Sequence, residues 1–357
     1  MKKILIMAVA AIMATMSAQA QKLQTVDKKG QPVPYASVLT EDGNFVGVTD
    51  LNGILDDVKG AKTVSISHVA YKTKTVNVGQ GSVVTLEDSD FDLPEITVSK
   101  KPLVYVQTYY RILCMSVDDD MPVTYFRAGV LDNAYDIQKK DVSADEDHFS
   151  ACNMGLAKTI LNAFLNPFIK RLAALKVDNM ETRIKKGYDG IDIDFVPNGP
   201  GKQNIVDQFG LVGTVTDDEG ERRYSCDTHL MRNHEIQATG NDKKIAKAEK
   251  KDNKKKDRKD QTFFVFRIDE DGKYAPEDFV MSQNYETYTD AKDGHVMHIL
   301  MQVYSAERAY VTKEELKQMK KDNKMKMTYE NIVEYERTHH IPPLSDVFQK
   351  SIQEIVK

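Results

Sequence analysis

Cysteine is scarce in this chain of 357 residues: Cys114, Cys152 and Cys226 are the whole complement. Three thiols rule out a disulfide scaffold, and with no Cys-x-x-Cys pair neither a zinc ribbon nor a dithiol redox motif is encoded. An oxidising compartment would permit one disulfide and leave one free thiol, and the spacing does not say which two would pair. Beyond the first residues the chain has no long apolar run, and its mean hydropathy of −0.47 argues against membrane-spanning helices. Excess positive charge is also missing. A formal charge of −5 and a pI near 6.0 provide no global attraction to nucleic acid. Signature motifs of several enzyme classes are absent too: no HExxH, no His-x-x-Glu pair of the zinc carboxypeptidase kind, no Walker loop, no Gly-x-Gly-x-x-Gly and no Gly-x-Ser-x-Gly elbow. No catalytic, cofactor-binding or metal-ligating residue is therefore assigned, and no cofactor is expected.

What is present begins with Lys2 and Lys3, an apolar run over residues 4–14, and the small-residue sequence Ala18-Gln19-Ala20. This is the pattern of a secretory signal peptide over residues 1–20, cleaved before Gln21. No Cys follows the cleavage point, so a lipoprotein anchor is not expected there. The chain is read as exported, in the periplasm or associated with the outer membrane. A hydrophobic content of 41% is enough for a core in each of two domains.

Residues 26–98 read as short strands separated by turn signals. Asp27, Gly30 and Pro32 turn the chain between two strands, Gly43 marks a hairpin, and Asn52-Gly53 supplies the positive φ of a tight turn. Val64-Ser65-Ile66-Ser67-His68-Val69 alternates apolar with polar, as a half-buried strand does. This spacing resembles the carboxypeptidase regulatory-like domain, a transthyretin-like or prealbumin-like antiparallel β-sandwich. Asp27, Gly30, Pro32, Ala36 and Val38 match its first block; Gly47, Thr49, Asp50 and Gly53 its second; Ile66, Ser67 and Tyr71 its third. Ala70 stands where that family often carries Gly. Leu93-Pro94-Glu95-Ile96-Thr97-Val98 is similar to the segment that follows this module in TonB-dependent outer-membrane receptors. The resemblance implies an adaptor domain over residues 21–98 and no chemistry. It ends there, because the remainder lacks the plug and barrel length of such a receptor.

Residues 99–102 form a polar linker, and residues 103–357 are expected to be an α+β domain with antiparallel strands, a central helix and a helical tail. Strands are expected at 105–117 and 123–127, around an acidic turn at Asp118-Asp119-Asp120. That turn lacks the alternating ligands, central Gly and distal Glu of an EF-hand loop. The strongest helical signal covers residues 154–175, where Leu156, Ile160, Phe164, Phe168, Leu172 and Leu175 form one stripe interrupted at Pro167. Its polar face is only lightly basic, so burial against a sheet is expected over a membrane surface. Further strands are expected at 191–196, 210–216, 222–226, 236–239, 263–268, 279–281 and 295–304. The basic run 243–260 contains no aromatic residue and is interspersed with Glu249, Asp252, Asp257 and Asp260, so it reads as a solvated loop or frayed helix rather than a nucleic-acid site. Thr312-Lys313-Glu314-Glu315 is a capping box, and helices are expected at 328–338 and 345–355 around Pro342-Pro343.

The histidines offer no ligand set. His68 reads as a rim or satisfied core residue, His295 and His298 fall on opposite faces of a strand, His229 and His234 do likewise if extended, and His339-His340 end a helix. Three functional classes follow. The first is a non-catalytic structural or interaction protein of the cell envelope, docking an envelope or outer-membrane partner. The alternative is a periplasmic carrier holding an apolar ligand between the 154–175 helix and a curved sheet. The third is a glycoside hydrolase, because Asp189-Gly190-Ile191-Asp192-Ile193-Asp194 resembles the family 18 chitinase signature. Substrate-assisted hydrolysis needs a terminal Glu as acid, and Val196 occupies that position. A general acid contributes about a hundred- to ten-thousandfold in rate. The mature protein should therefore release no fluorophore from chitobiose or chitotriose reporters, with Asp192→Asn and Asp194→Asn silent. Turnover abolished in either variant would place the chain among the hydrolases.

Overall fold

The computed structural model describes residues 22–356 except 80, 98, 117–122, 140, 153–179, 241–254, 293 and 325. The signal peptide expected at 1–20, the acidic turn at 118–120, the helix expected at 154–175 and the basic residues 243–254 lie outside the described residues. The protein is β-rich, and the chain divides into two compact units, one ending at Asp88 and one beginning at Ser89. Among the described residues, no helix is long and apolar enough to cross a membrane.

The first unit contains β1 (Leu23–Val26), β2 (Ser37–Thr40), β3 (Phe45–Val48), β4 (Ile54–Leu55), β5 (Thr63–His68), β6 (Tyr71–Asn77) and β7 (Ser82–Thr85). They form a four-stranded sheet in the order β3-β2-β5-β6 and a three-stranded sheet in the order β4-β1-β7. Turn chemistry explains the spacing in the sequence. One carboxylate oxygen of Asp27 accepts the backbone N–H groups of Lys29 and Gln31, both at 2.8 Å, while Gly30 adopts φ 76°. Asp50 does the same for Asn52 and Ile54, both at 2.8 Å, with Gly53 at φ 70°. These are Asx turns closed by a left-handed glycine. The buried hydroxyl of Thr25 donates to the Val33 carbonyl, and Thr49 accepts from Ala36 N–H, so the irregular 27–36 connection has its polar groups paired. Leu23, Val33, Val38, Val64, Ile66, Val69 and Leu86 are fully buried, each contributing about 1.5–3 kcal/mol of transfer free energy. Ala70 is tolerated where a glycine was expected because its φ is not positive.

An antiparallel arrangement throughout was expected, and one pair departs from it: β1 and β7 run parallel, Leu23 opposite Ser82 through Val26 opposite Thr85. The two are the first and last strands of the unit. No hairpin joins them, so nothing forces antiparallel pairing.

The second unit is built on one ten-stranded antiparallel sheet. Its strands are β8 (Leu103–Ser116), β9 (Val123–Asp136), β10 (Asp141–Cys152), β11 (Asp194–Pro197), β12 (Lys202–Asp207), β13 (Gly210–Asp218), β14 (Glu221–Asp227), β15 (Lys255–Arg267), β16 (Phe279–Asp290) and β17 (Val296–Val311). The order is β10-β9-β8-β17-β16-β15-β14-β13-β12-β11. Every neighbour is the next strand in the chain except β17, which returns to lie beside β8. The helices are α1 (Met180–Lys186), α2 (Thr228–Thr239), α3 (Lys313–Asp322), α4 (Tyr329–Thr338) and α5 (Asp346–Val356). Residues 91–94 are anchored within this unit: Phe91 packs edge-on against Tyr304 at 5.1 Å, Asp92 pairs with Arg267, and the Pro94 carbonyl accepts from Arg308.

Side-chain alternation assigns the helices to faces. Tyr110, Ile112, Cys114, Tyr125, Met301 and Val303 join Met180 and Ile184 of α1 and Met231 of α2 in one apolar cluster that continues to Ile205, Val212 and Ile193. The intervening residues Tyr105, Gln107, Tyr109 and Arg111 face α3 and α4. The capping box is present as expected: Thr312 accepts Glu315 N–H at 3.2 Å and Glu315 accepts Thr312 N–H at 2.7 Å.

Two expectations are corrected, and one point that the sequence left open is answered. The strand at 236–239 is instead the end of α2. Asp227 caps that helix by accepting Leu230 N–H at 2.9 Å, and Gly240 ends it in the left-handed conformation, φ 52°. His229 and His234 accordingly sit on a helix. The basic loop ends earlier than expected, because residues 255–260 belong to β15. Glu286 on the neighbouring strand accepts from Lys255 and Arg258, both at 2.9 Å, and Lys255 lies over the Tyr288 ring. Cross-strand ion pairs thus hold a segment whose composition reads as loop. Finally, all three cysteines are free thiols.

Residues 22–88 expressed alone should give a dispersed amide spectrum. A Cβ on Gly53 would meet the Thr25 carbonyl oxygen at 2.4 Å, so Gly53→Ala should cost that fragment more than about 1 kcal/mol in urea unfolding. An unchanged midpoint would contradict this account of the turn.

Candidate functional site

All fourteen residues of β8 are buried. A strand covered on both faces is ordinarily a continuous apolar run, yet β8 carries Gln107, Thr108 and Arg111. Each buried polar group then needs a partner. Arg111, 2% exposed, finds three. Its Nε donates to Gln302 Oε1 directly across on β17 at 2.8 Å, Nη1 to Glu336 on α4 at 2.9 Å, and Nη2 to the Pro342 carbonyl at 2.9 Å. Gln302 passes the chain on to Gln283 of β16 at 3.0 Å, and the Tyr109 hydroxyl donates to the same Glu336 at 2.6 Å. Burial pushes the Tyr109 hydroxyl well above its ordinary pKa, so it stays protonated and donates to Glu336. Removing one partner of such a buried pair costs on the order of 3–5 kcal/mol.

One turn along, the same face opens into a pocket of about 320 Å³ lined by Gln107, Val130, Glu307, Asp322, Asn323, Lys324 and Tyr335. Strands β8, β9 and β17 form its floor, and α4 with the end of α3 its walls. Gln107 is 1% exposed. Its amide nitrogen donates to Asp132 at 2.9 Å and to the Tyr105 oxygen at 3.2 Å, and its oxygen accepts from the Tyr335 hydroxyl. Tyr105 donates to Asp132 at 2.6 Å. Asn323, the residue that ends α3, donates to Tyr105 at 3.1 Å and to Glu307 at 2.9 Å.

Behind this wall Tyr335 stacks on His339, ring centroids 4.0 Å apart, and His339 Nε2 lies 3.5 Å from Glu307. Burial works against a charged His339, but the Glu307 carboxylate and the Tyr335 carbonyl outweigh it and hold its pKa above the ordinary value. Reciprocally, the hydrogen bond from His339 and that from Asn323 hold Glu307 below the ordinary carboxylate range, against its burial. The pair is an ion pair that fixes the rim of the pocket.

The opposite face carries one further polar group in its apolar cluster. Arg127 is fully buried, donates through Nε to Tyr110 at 2.9 Å and through Nη2 to Glu146, and its Nη1 has no hydrogen-bond partner. Burial pushes the Cys114 and Cys226 thiols up to about 12, which makes them poor nucleophiles. His298 is buried beside Tyr285, and His234 lies 2.7 Å from Asp207. Among the described residues no three His, Cys, Asp or Glu side chains are grouped to hold a metal ion.

The acidic segment considered for glycoside chemistry lies elsewhere, at the far edge of the sheet. Ile191 and Ile193 are buried, Asp189, Asp192 and Asp194 are exposed, and Val196 is 45% exposed. His68 is buried, and its Nδ1 accepts Ala70 N–H at 3.2 Å. None of the pocket residues was singled out from the sequence. The available signal was Gln107 and Arg111 inside an apolar strand, together with Tyr335, Glu336 and His339 on one short helix and its cap. No protein-family model matches the chain, and no curated protein matches it in sequence.

The raised pKa of His339 fixes the sign of a pH effect. Its contribution to stability is complete below its ordinary value of 6.5 and is lost as pH rises through the folded-state value. The stability difference between the protein and His339→Asn should therefore shrink from about pH 5.5 to about pH 8.5, the range in which imidazole titrates. Urea midpoints showing a constant difference would contradict the ion pair.

Proposed function

We propose that this is an exported, non-catalytic protein of the cell envelope, whose second unit recognises a ligand in the pocket beneath α3 and α4. The observation that carries this reading is the state of the pocket's reactive groups. The Tyr335 and Tyr105 hydroxyls, Gln107, Asn323, Glu307 and His339 are all engaged in a fixed network. A catalytic site needs a nucleophile or base free to meet the substrate, whereas a preorganised wall favours recognition.

In this reading the first unit is a carboxypeptidase regulatory-like, prealbumin-like β-sandwich serving as adaptor to an envelope or outer-membrane partner. Its two sheets support that assignment, as does the use of Asp27, Gly30, Asp50 and Gly53 in the turns. Docking of a partner strand on the large sheet is not favoured. The edge strand β10 carries Asp145, Glu146 and Asp147, and β11 is four residues long and ends at Pro197. Charge, brevity and proline are devices that blunt an edge. Carriage of an apolar ligand against the 154–175 helix falls on residues outside those described, and this pocket, which carries Gln107, Glu307, Asp322 and Asn323 in its lining, is a separate site.

Two measurements test the reading. The full chain should fractionate with the envelope, its first twenty or so residues removed; recovery of uncut protein in the cytosol would overturn the address. A thermal-shift panel of amines, carboxylates and neutral polyols should raise the melting temperature of the mature protein with at least one class. Val130→Phe, which fills the pocket from β9, should abolish that response. Saturation at about a hundred times Kd corresponds to about 2.7 kcal/mol of added stability. A shift that survives in Val130→Phe would move recognition away from the pocket.

A further inference from the structure

We propose that the pocket's ligand is a small organic cation, presenting a primary ammonium or guanidinium group to Glu307 and Asp322. This deepens the proposed function and rests on its reading of the pocket as a recognition site. The argument is an accounting of donors and acceptors. The Tyr105 O–H is directed to Asp132, and the Tyr335 O–H to Gln107. Both amide hydrogens of Gln107 are engaged, by Asp132 and Tyr105, and so are both of Asn323, by Tyr105 and Glu307. The protein itself therefore engages every side-chain N–H and O–H of these lining residues. The lone pairs of Gln107 Oε1, Tyr335 Oη and Asn323 Oδ1 remain, with the carboxylates of Glu307 and Asp322, the latter held by Gln318 at 2.7 and 2.9 Å. Lys324 is the one lining residue with a side-chain donor outside this network, and it is exposed.

A wall of acceptors is complementary to a ligand rich in donors. An ammonium brings three N–H groups and a guanidinium five, and either supplies the charge that Glu307 and Asp322 favour. Apart from Lys324 at the mouth, a carboxylate or phosphate ligand would meet lone pairs and like charge. A bare metal ion fits less well, because a hard cation takes six or more oxygens in close coordination, and no three-member group of metal-binding side chains exists among the described residues. The volume of about 320 Å³ admits a short diamine. Lys324 at the mouth carries the same charge as such a ligand and so competes with it.

The experiment is calorimetric titration of the mature full chain with putrescine, glutarate and erythritol, a diamine, a dicarboxylate and a neutral polyol of similar length. Putrescine should bind and the other two should not. Glu307→Gln, which keeps an acceptor for Asn323, should weaken putrescine by about tenfold or more. Lys324→Ala, at an exposed position, should strengthen it, and this second variant keeps the test intact if Glu307→Gln loosens the fold. Binding of glutarate or erythritol in place of putrescine would overturn the ligand class and leave the recognition reading standing. Putrescine binding that neither variant alters would overturn the assignment to this pocket. No heat with any probe, and no shift across the thermal panel, would overturn both the proposal and the reading beneath it.

Discussion

The second unit depends on one requirement: a central strand buried on both faces must have its polar side chains paired. Gln107 and Arg111 on β8 are almost wholly buried, and an unpaired buried guanidinium costs more than any single apolar contact contributes. Their partners come from the neighbouring strands and from the C-terminal segment: Gln302 on β17, Tyr335 and Glu336 on α4, and the Pro342 carbonyl between α4 and α5. Because Arg111 donates to a backbone carbonyl beyond α4 as well as to a side chain on it, the link ties the path of the chain and not only the helix.

The two faces of the sheet thus have different chemistry for the same reason. On one, Ile112 and Met301 meet Met180, Ile184 and Met231 through volume and apolar area, with the hydrogen bonds of Tyr110 to Arg127 and Glu146 set among them. On the other, hydrogen bonds set the positions of α3 and α4, and side chains held by directional bonds pack less completely than interdigitated apolar ones. The pocket between Gln107, Glu307, Asn323 and Tyr335 lies on that polar face.

How much of this was legible in the sequence varies with the physics involved. Local chemistry was readable: the Thr312 and Glu315 capping box, the Asn52-Gly53 turn and the helices around Pro342-Pro343 follow from short-range backbone rules. The helix at 228–239 was hidden because its apolar positions, Leu230, Met231 and Ile236, make a weak stripe; Asp227 and Gly240 at its ends were the better signal. Strand β10 is polar along most of its length and carries no alternation strong enough to announce it. Residues 255–260 read as loop because Glu286, which stabilises them, lies on another strand. The pocket was unreadable for the same reason. Gln107, Glu307 and Tyr335 stand far apart in the chain and become neighbours only when β17 settles beside β8.

That last pairing has a consequence for how the protein reaches its native state. The bond from Arg111 to Gln302 spans 191 residues, and those to Glu336 and Pro342 span 225 and 231. Contacts of such sequence separation carry a large loop-closure cost before they return any stability, and chains dominated by them fold slowly. Until β17 has been made, β8 has β9 on one side and nothing on the other, with a charged guanidinium directed at a site not yet formed. A chain in that condition keeps one side of β8 open until residues 296–311 pair with it.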